Sequence, residues 1–145
     1  MRLSARVDYA IRAVIELATI EPVVAGKPPG EFPITSERIA KAQEIPPKFL
    51  ESILLQLRRG GVVNAQRGPE GGYWLARPAA QISLAEVIEI IDGPLSQVRG
   101  HIPADLDYQG PARTLQNVWV AVEAQERRML EQVTFAHLAS GQLPF

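Results

Sequence analysis

The segment from residue 34 to residue 75 constrains the fold most, because proline and glycine pairs divide it into short pieces with different hydrophobic periods. The first piece has the apolar spacing of a helix. Thr35 is a favourable N-cap for it, and Ile34 forms a hydrophobic staple with Ile39. This pattern predicts a short helix over about Ser36–Ala42, followed by a turn.

A second helix is predicted to begin near Pro47, because proline is favourable in a first helical turn. Gly60 and Gly61 supply its left-handed stop. One face of this helix is a continuous apolar stripe made of Leu50, Ile53, Leu54 and Leu57. The opposite face carries the polar residues Lys48, Glu51, Ser52, Gln56 and Arg59.

Two β-prone runs, residues 62–66 and 73–75, then flank a glycine-rich tip that contains Arg67. They predict a β-hairpin. Two helices joined by a short turn and followed by a basic hairpin are the parts of a winged helix-turn-helix, so the expected fold class is mainly α with a small β-hairpin wing. In that fold the second helix enters the DNA major groove and the wing reaches the neighbouring groove.

The flanking sequence predicts three more helices. Helix one begins at Ser4 and is stopped by Pro22, and helix four covers about Ser83–Asp92. Ala112–Ser140 holds no proline or glycine and predicts one helix roughly 40 Å long. The expected organisation is a DNA-binding unit over residues 1–80 and a second unit over 81–145 with helix four, a loop and the long dimerisation helix.

That long helix predicts a dimer, because a front unit only about 25 Å across would leave much of its apolar stripe exposed. The expected contacts are Leu115, Val118, Val122, Met129 and Val133. The alternative is a hairpin of two shorter helices folded back on the same chain, for which the sequence holds no turn signal.

Charge and composition bound the class of protein. The net charge of −1 argues against a nucleic-acid partner, but residues 1–77 hold 11 Lys/Arg and 8 Asp/Glu (+3), whereas residues 78–145 hold 4 and 8 (−4). A DNA-binding front half would have this asymmetry, and chance would also produce it. An apolar content of 46% suits a globular core, and neither a signal peptide nor a membrane span is evident. A soluble cytoplasmic protein with no membrane partner is expected.

Each polar residue of the second helix has a plausible role on DNA. Lys48 can donate to guanine or phosphate, and Glu51 can accept from cytosine N4. Ser52 and Gln56 can serve either partner, whereas Arg59 suits a phosphate. For any one of them the alternative is an ordinary solvated polar face.

The hairpin tip gives the sharpest single prediction. Arg67, flanked by glycine, can extend into the narrow and electronegative minor groove. Gly68, Gly71 and Gly72 permit close approach to a DNA backbone, or simply close the hairpin. A phosphate-binding nucleotide loop is excluded, because no Gly-Lys-Ser/Thr follows and the next element is a strand.

The chain contains no cysteine, which excludes disulfides, thiolate metal sites, thiol nucleophiles and a cysteine-ligated iron–sulfur cluster. His101, Asp105 and Asp107 could hold a metal, although a solvated loop explains them as well. His137 is expected near the end of the long helix, where a cation suits the helix dipole. Neither histidine has an evident catalytic partner, so neither an enzyme nor a cofactor is expected.

Several short motifs together identify a likeness to known proteins. They are Met1-Arg2-Leu3-Ser4, Asp8-Tyr9-Ala10, Ile39-Ala40, Ile45-Pro46, Phe49-Leu50-Glu51, Leu57-Arg58-Arg59-Gly60-Gly61, Arg67-Gly68-Pro69-Glu70-Gly71-Gly72-Tyr73, Leu75-Ala76-Arg77-Pro78, Ile82-Ser83-Leu84, Val87-Ile88, Asp92-Gly93, Val118-Trp119 and Val133-Thr134. On these residues the chain resembles, over nearly its whole length, the Rrf2 family of bacterial regulators.

The resemblance implies a homodimer whose long helices cross and whose two recognition helices read a roughly palindromic operator. It places Lys48, Phe49 and Glu51 where members read bases and Arg67 where they enter the minor groove, and Phe49 could also belong partly to the core. It adds Trp119 to the dimerisation segment. The predicted DNA-binding set is completed by Ser4, Arg6 and Tyr73.

The chain also differs from the cluster-binding members of the family that it resembles. Cluster-binding members carry three cysteines in the region that corresponds to Leu95–Gly110, and here there is none. The leading hypothesis is therefore a cofactor-free dimeric regulator of double-stranded DNA, a repressor by expectation, whose signal is a small molecule, a partner protein or another ligand. The alternatives are a winged-helix adaptor that does not bind DNA and a metal enzyme or hydrolase that uses His101.

Overall fold

The computed structural model describes residues 1–21 and 26–145. Within these ranges the chain forms six α-helices and one two-stranded antiparallel hairpin. The elements are α1 (Ala5–Ala18), α2 (Ser36–Gln43), α3 (Pro47–Arg59), β1 (Val63–Gln66), β2 (Gly72–Leu75), α4 (Leu84–Asp92), α5 (Thr114–Gln132) and α6 (Phe135–Ser140). This order confirms the predicted fold class, a winged helix-turn-helix. Pro22, the predicted stop of helix one, lies outside the described residues, and α1 already ends at Ala18.

The predicted N-caps are confirmed, since each hydroxyl oxygen accepts a hydrogen bond from the backbone N–H three residues further on. The pairs are Ser4 with Val7 at 3.0 Å, Thr35 with Arg38 at 3.2 Å and Ser83 with Glu86 at 3.2 Å. Three helix starts are thus set by local sequence.

The turn between α2 and α3 is tight and partly buried. Glu44 adopts a left-handed conformation with φ of 52°, and the N–H of Ile45 donates to the carbonyl of Ala40 at 2.9 Å. Ile45 is buried, and α3 starts at Pro47, as predicted. The turn therefore fixes α3 relative to α2 through both a backbone bond and an apolar anchor.

The two glycines after α3 have different structural roles. Gly61 takes the left-handed conformation, with φ of 79°. Gly60 has φ of −79°, and a Cβ on it would lie 2.7 Å from Cδ1 of Ile90. Gly60 therefore permits α4 to pack closely against the end of α3.

The core lies where α1, α2, α3, the hairpin base and α4 meet. Its largest fully buried side chains include Ile39, Leu50, Ile53, Leu54, Leu57, Ile82, Val87 and Phe135. All four residues of the predicted α3 stripe belong to it. Phe135 comes from α6, so the C-terminal segment shares this core with the front of the chain.

The prediction of one helix from Ala112 to Ser140 is wrong. Helix α5 ends at Gln132, and α6 begins at Phe135 after two extended residues. At that point the carbonyl of Val133 accepts from the N–H of Leu84 at 2.9 Å, and the N–H of Phe135 donates to Ile82 at 3.0 Å. These bonds replace the lost helical ones while Phe135 becomes fully buried. The alternative, a hairpin of two shorter helices folded back on the same chain, agrees with the structure in having two helices, of which α6 packs against α1.

Thr134 and His137 start α6 together, which also corrects the role expected for the histidine. The hydroxyl of Thr134 accepts from the N–H of His137 at 3.3 Å, and Nδ1 of His137 accepts from the N–H of Thr134 at 3.0 Å. This reciprocal pair is a capping box. His137 thus lies in the first turn of α6, where its Nδ1 accepts a hydrogen bond, and not near the end of one long helix.

Helix α5 is held along one side only. Arg127 donates to Glu89 of α4 at 2.8 Å, and this hydrogen bond raises the pKa of Arg127. Ser96 donates to Glu126 at 2.6 Å, and Trp119 donates to the hydroxyl of Tyr108 at 3.1 Å.

No helix in the described part of the chain is long and apolar enough to cross a membrane.

Candidate nucleic-acid interface

The outer surface of α3 is a single stripe at spacings of four, three and four residues. Lys48, Ser52, Leu55 and Arg59 form this stripe, opposite the buried one, and all four are exposed. Glu51 is also exposed, on the side of the stripe nearer the wing. Because the core fixes the buried face, Lys48, Glu51 and Arg59 of the set predicted to read DNA are exposed, whereas Gln56 is only partly exposed.

Arg6 on α1 links two of these predicted contacts. Its Nε donates to Oε1 of Gln56 at 2.9 Å, and its Nη1 donates to Oγ of Ser52 at 2.9 Å. Three residues predicted separately are therefore one network between α1 and α3. This network holds the recognition helix in orientation, and it commits part of the hydrogen-bonding capacity of Ser52 and Gln56 to the protein itself.

Ser4 and Phe49 have structural roles of their own. Ser4 caps α1, and its hydroxyl donates to Asp92 at the end of α4 at 2.9 Å. Phe49 is half-exposed, with its ring centroid 6.2 Å from that of Tyr9 on α1. Phe49 thus has an aromatic neighbour in the protein, and the rest of its ring faces outward.

The wing presents Arg67 at its tip. Strands β1 and β2 pair in antiparallel register from Val63 with Leu75 to Gln66 with Gly72, and Arg67 follows β1 as an exposed residue. Tyr73 exchanges both backbone hydrogen bonds with Ile34, at 2.8 and 2.9 Å. The hairpin is therefore tied to the segment before α2, which restrains where Arg67 can lie.

The three predicted wing glycines differ in what surrounds them. A Cβ on Gly71 would lie 2.1 Å from the carbonyl oxygen of Gln66, and one on Gly72 would lie 2.7 Å from the carbonyl of Ile34. Gly68 has φ of 110°, and a Cβ there would meet nothing within 4 Å. Gly71 and Gly72 are thus required by the protein's own packing, whereas Gly68 leaves open space beside Arg67.

A cleft of about 480 Å³ joins α3 to the wing. Its lining includes Glu51, Leu55, Arg58, Arg67 and Gly68. The helix and the hairpin tip, predicted as separate DNA contacts, therefore border one continuous surface.

Sequence reasoning missed two residues of this surface, Leu55 and Arg58. Arg58 is exposed beside the wing, although only its neighbour Arg59 was predicted as a contact. Leu55 lies opposite the buried stripe, so a helical projection of α3 would have marked it as an apolar residue on the polar face.

The loop between α4 and α5 is packed onto the protein by its own apolar residues. Leu95, Pro103 and Leu106 are buried, and the backbones of Val98 and His101 exchange two hydrogen bonds, at 2.8 and 3.0 Å. The side chain of His101 is exposed. The described residues contain no group of three or more histidine, cysteine or acidic side chains close enough to hold a metal ion.

A helix-turn-helix with an exposed polar recognition helix, bordered by a wing that carries Arg67 at its tip, defines the class of winged helix-turn-helix proteins. The chain matches the model of the Rrf2 family, described as iron-dependent transcriptional regulators, over residues 3–141. It therefore belongs to the Rrf2 family.

Individual relatives agree with this assignment. Rv1287 of Mycobacterium tuberculosis, provisionally named an HTH-type transcriptional regulator, is 45% identical over 144 residues, which cover 99% of this chain and 84% of the relative. The HTH-type transcriptional regulator IscR of Cereibacter sphaeroides is 32% identical over 145 residues, covering 99% and 90%.

The fold is likewise similar to solved structures. The global cysteine regulator CymR of Bacillus subtilis superposes with a TM-score of 0.77 at 27% identity, covering 97% of this chain and 98% of that one. The IscR of T. potens gives a TM-score of 0.72 at 26% identity, covering 97% and 88%. The protein is a DNA-binding transcriptional regulator of bacterial type and not an enzyme.

The family description implies iron, and the residues of this chain do not fit a cysteine-ligated cluster. The sequence contains no cysteine, and the loop region where cluster-binding members are expected to carry theirs is packed by Leu95, Pro103 and Leu106 instead. His101, Asp105 and Asp107 are all exposed, and the described residues bring no three metal-binding side chains together.

Proposed function

We propose that the protein is a homodimeric repressor that binds a roughly palindromic operator in bacterial DNA and acts in the cytoplasm, where that DNA lies. Helix α3 enters the major groove, and Arg67 enters the adjacent minor groove. The observation that carries this proposal is the shared surface: Glu51, Leu55 and Arg58 of α3 and Arg67 of the wing border one cleft.

The charges of this surface suit a polyanion. Four exposed cations, Lys48, Arg58, Arg59 and Arg67, lie on or beside it against two acids of the cleft, Glu37 and Glu51. The acidic excess of the chain lies in residues 78–145. A net charge of −1 for the whole chain is thus compatible with a basic contact face. Because phosphate contacts release counterions, affinity is expected to fall steeply as salt is raised.

A second copy is proposed to cover α5. This helix has no buried residue, and Leu115, Val122 and Met129 recur on it every seven residues, with Val118 between the first two. Such a seam is typical of paired helices. Val133 is buried within the chain itself and Trp119 is half-buried and bonded to Tyr108, so we leave both out of the seam.

The composition of the chain also narrows the kind of effector that the protein can sense. With no cysteine available as a ligand, we propose that a small molecule or a partner protein, rather than a cluster, relieves repression. Occupancy of an operator that overlaps a promoter would block transcription, and release of the dimer would restore it.

The DNA-reading assignment is tested by operator binding. The operator is first defined by genome-wide mapping of binding sites and footprinting, and affinities are then measured by fluorescence anisotropy. Arg67→Ala is expected to weaken binding strongly, because it removes the minor-groove cation. Glu51→Ala is expected to relax sequence preference, because it removes an acceptor for a base edge.

The matched control for Arg67→Ala is Arg113→Ala, which removes the same charge from an exposed residue just before α5. It is expected to bind almost as the wild type does. If neither Arg67→Ala nor Glu51→Ala alters binding to an established operator, the site assignment is wrong. If the wild-type protein enriches no DNA but captures a stable protein partner, the adaptor alternative replaces the proposal.

A further inference from the structure

Leu55 is an unexpected residue at the centre of the recognition surface. It is 46% exposed. Single exposed leucines are common and need no explanation of their own. What distinguishes Leu55 is its position, since it occupies the outer stripe of α3 between Ser52 and Arg59 and also borders the cleft to the wing.

The surroundings of Leu55 do not suit an apolar protein partner. Arg58 and Arg59 lie one turn after it and Lys48 two turns before it, whereas the one acid of α3, Glu51, lies one turn before it. Three exposed cations against one exposed acid leave this part of α3 with a net positive charge, which attracts a polyanion. The occupant that fits both the cations and the leucine is a DNA major groove.

A major groove offers one apolar group on its base edges, the 5-methyl of thymine. We infer that Leu55 contacts a thymine methyl and thereby selects thymine at one position of each operator half-site. This inference rests on the proposed insertion of α3 into the major groove. It assigns sequence preference to an apolar side chain, in addition to the hydrogen-bonding groups Lys48 and Glu51.

Uracil substitution tests the contact, because it removes the methyl group and leaves base pairing unchanged. Each thymine of the footprinted operator is replaced singly by deoxyuridine, and binding is measured by anisotropy for the wild-type protein and for Leu55→Ala. The wild type is expected to lose about fourfold in affinity at one thymine per half-site, the factor that corresponds to burying one methyl group. Leu55→Ala is expected to bind the thymine and uracil duplexes equally at that position.

A matched control and a rescue sharpen the result. Leu143 is 48% exposed, near the C-terminus, so Leu143→Ala removes an equally exposed leucine and is expected to keep the wild-type uracil profile. Replacing the critical thymine by 5-methylcytosine should preserve more affinity than cytosine for the wild type, with no such difference for Leu55→Ala. Circular dichroism checks that both variants remain folded.

Three results would overturn the inference. One is a uracil profile of Leu55→Ala that is the same as that of the wild type, and another is a wild-type profile with no sensitive thymine. In either case operator binding persists, so the proposed function stands while the role of Leu55 fails. A wild-type protein that binds no DNA would overturn the proposed function together with this contact.

Discussion

At the scale of single residues, side chains of the recognition surface differ in how far the protein already uses them. Ser4 caps α1 and bonds to Asp92, and Arg6 bonds to both Ser52 and Gln56. Such side chains hold the elements in place. They can contact DNA only with the hydrogen-bond donors and acceptors that the protein leaves unused. Arg67 of the wing is exposed, and its neighbour Gly68 leaves its surroundings open.

The wing glycines give a prediction at this scale. Gly71→Ala would place a Cβ 2.1 Å from the carbonyl oxygen of Gln66, a backbone atom that cannot move without disrupting the hairpin. The free energy of unfolding is expected to fall by about 1–3 kcal/mol. Urea denaturation followed by circular dichroism measures it, with Glu70→Ala as the control in the same turn. An unchanged midpoint for Gly71→Ala would contradict the described path of the turn.

At the scale of elements, the path of the C-terminal third of the chain depends on Val133 and Thr134, the two residues between α5 and α6. Backbone bonds from Val133 and Phe135 to the segment just before α4 end α5, and burial of Phe135 docks α6 on the core. Because α6 packs against α1, the C-terminus helps to hold the helix that in turn holds α3 through Arg6. The break in the long helix therefore supports the geometry of the recognition surface.

Two substitutions test this docking. Phe135→Ala is expected to lower the free energy of unfolding by about 3–5 kcal/mol, because it removes a fully buried aromatic ring. Thr134→Ala should cost about 1 kcal/mol through loss of the α6 cap. Both are measured by urea unfolding, with the exposed Gln132→Ala as the control. A Phe135→Ala protein as stable as the wild type would show that α6 is not docked.

At the scale of the whole molecule, one side of α5 is fastened to α4 and the following loop while its apolar seam stays uncovered. The attachment consists of hydrogen bonds made by Arg127, Glu126 and Trp119. Val118 and Val122 lie on the uncovered side. A symmetric dimer would bury these seams against each other and place two recognition helices on one face, as a palindromic operator requires.

The proposed dimer is tested by Val122→Glu. A carboxylate in the seam would be desolvated on pairing, so the variant is expected to sediment as a monomer at concentrations where the wild type is a dimer. Val120→Glu is the control, because Val120 is 42% exposed against 43% for Val122 but lies on another side of α5. Analytical ultracentrifugation measures both. A Val122→Glu protein that remains dimeric would place the interface elsewhere.

Local sequence alone determined much of this protein. The caps at Ser4, Thr35 and Ser83, the glycine stop after α3 and the apolar stripe from Leu50 to Leu57 were all predictable, because caps, stops and periodicity depend on near neighbours. These features were enough to predict a winged helix-turn-helix and the face of α3 that points outward.

Tertiary structure decided what depends on residues far apart in sequence. The break at Val133 depends on pairing with a segment some fifty residues earlier. No proline or glycine marks it in the local sequence, because the cause of the break is a distant segment. The linkage of Arg6 to Ser52 and Gln56 spans a similar separation. The side of α3 on which Leu55 lies follows from helical periodicity, but its place beside the wing does not, because a surface shared by two elements is formed by packing and not by local sequence.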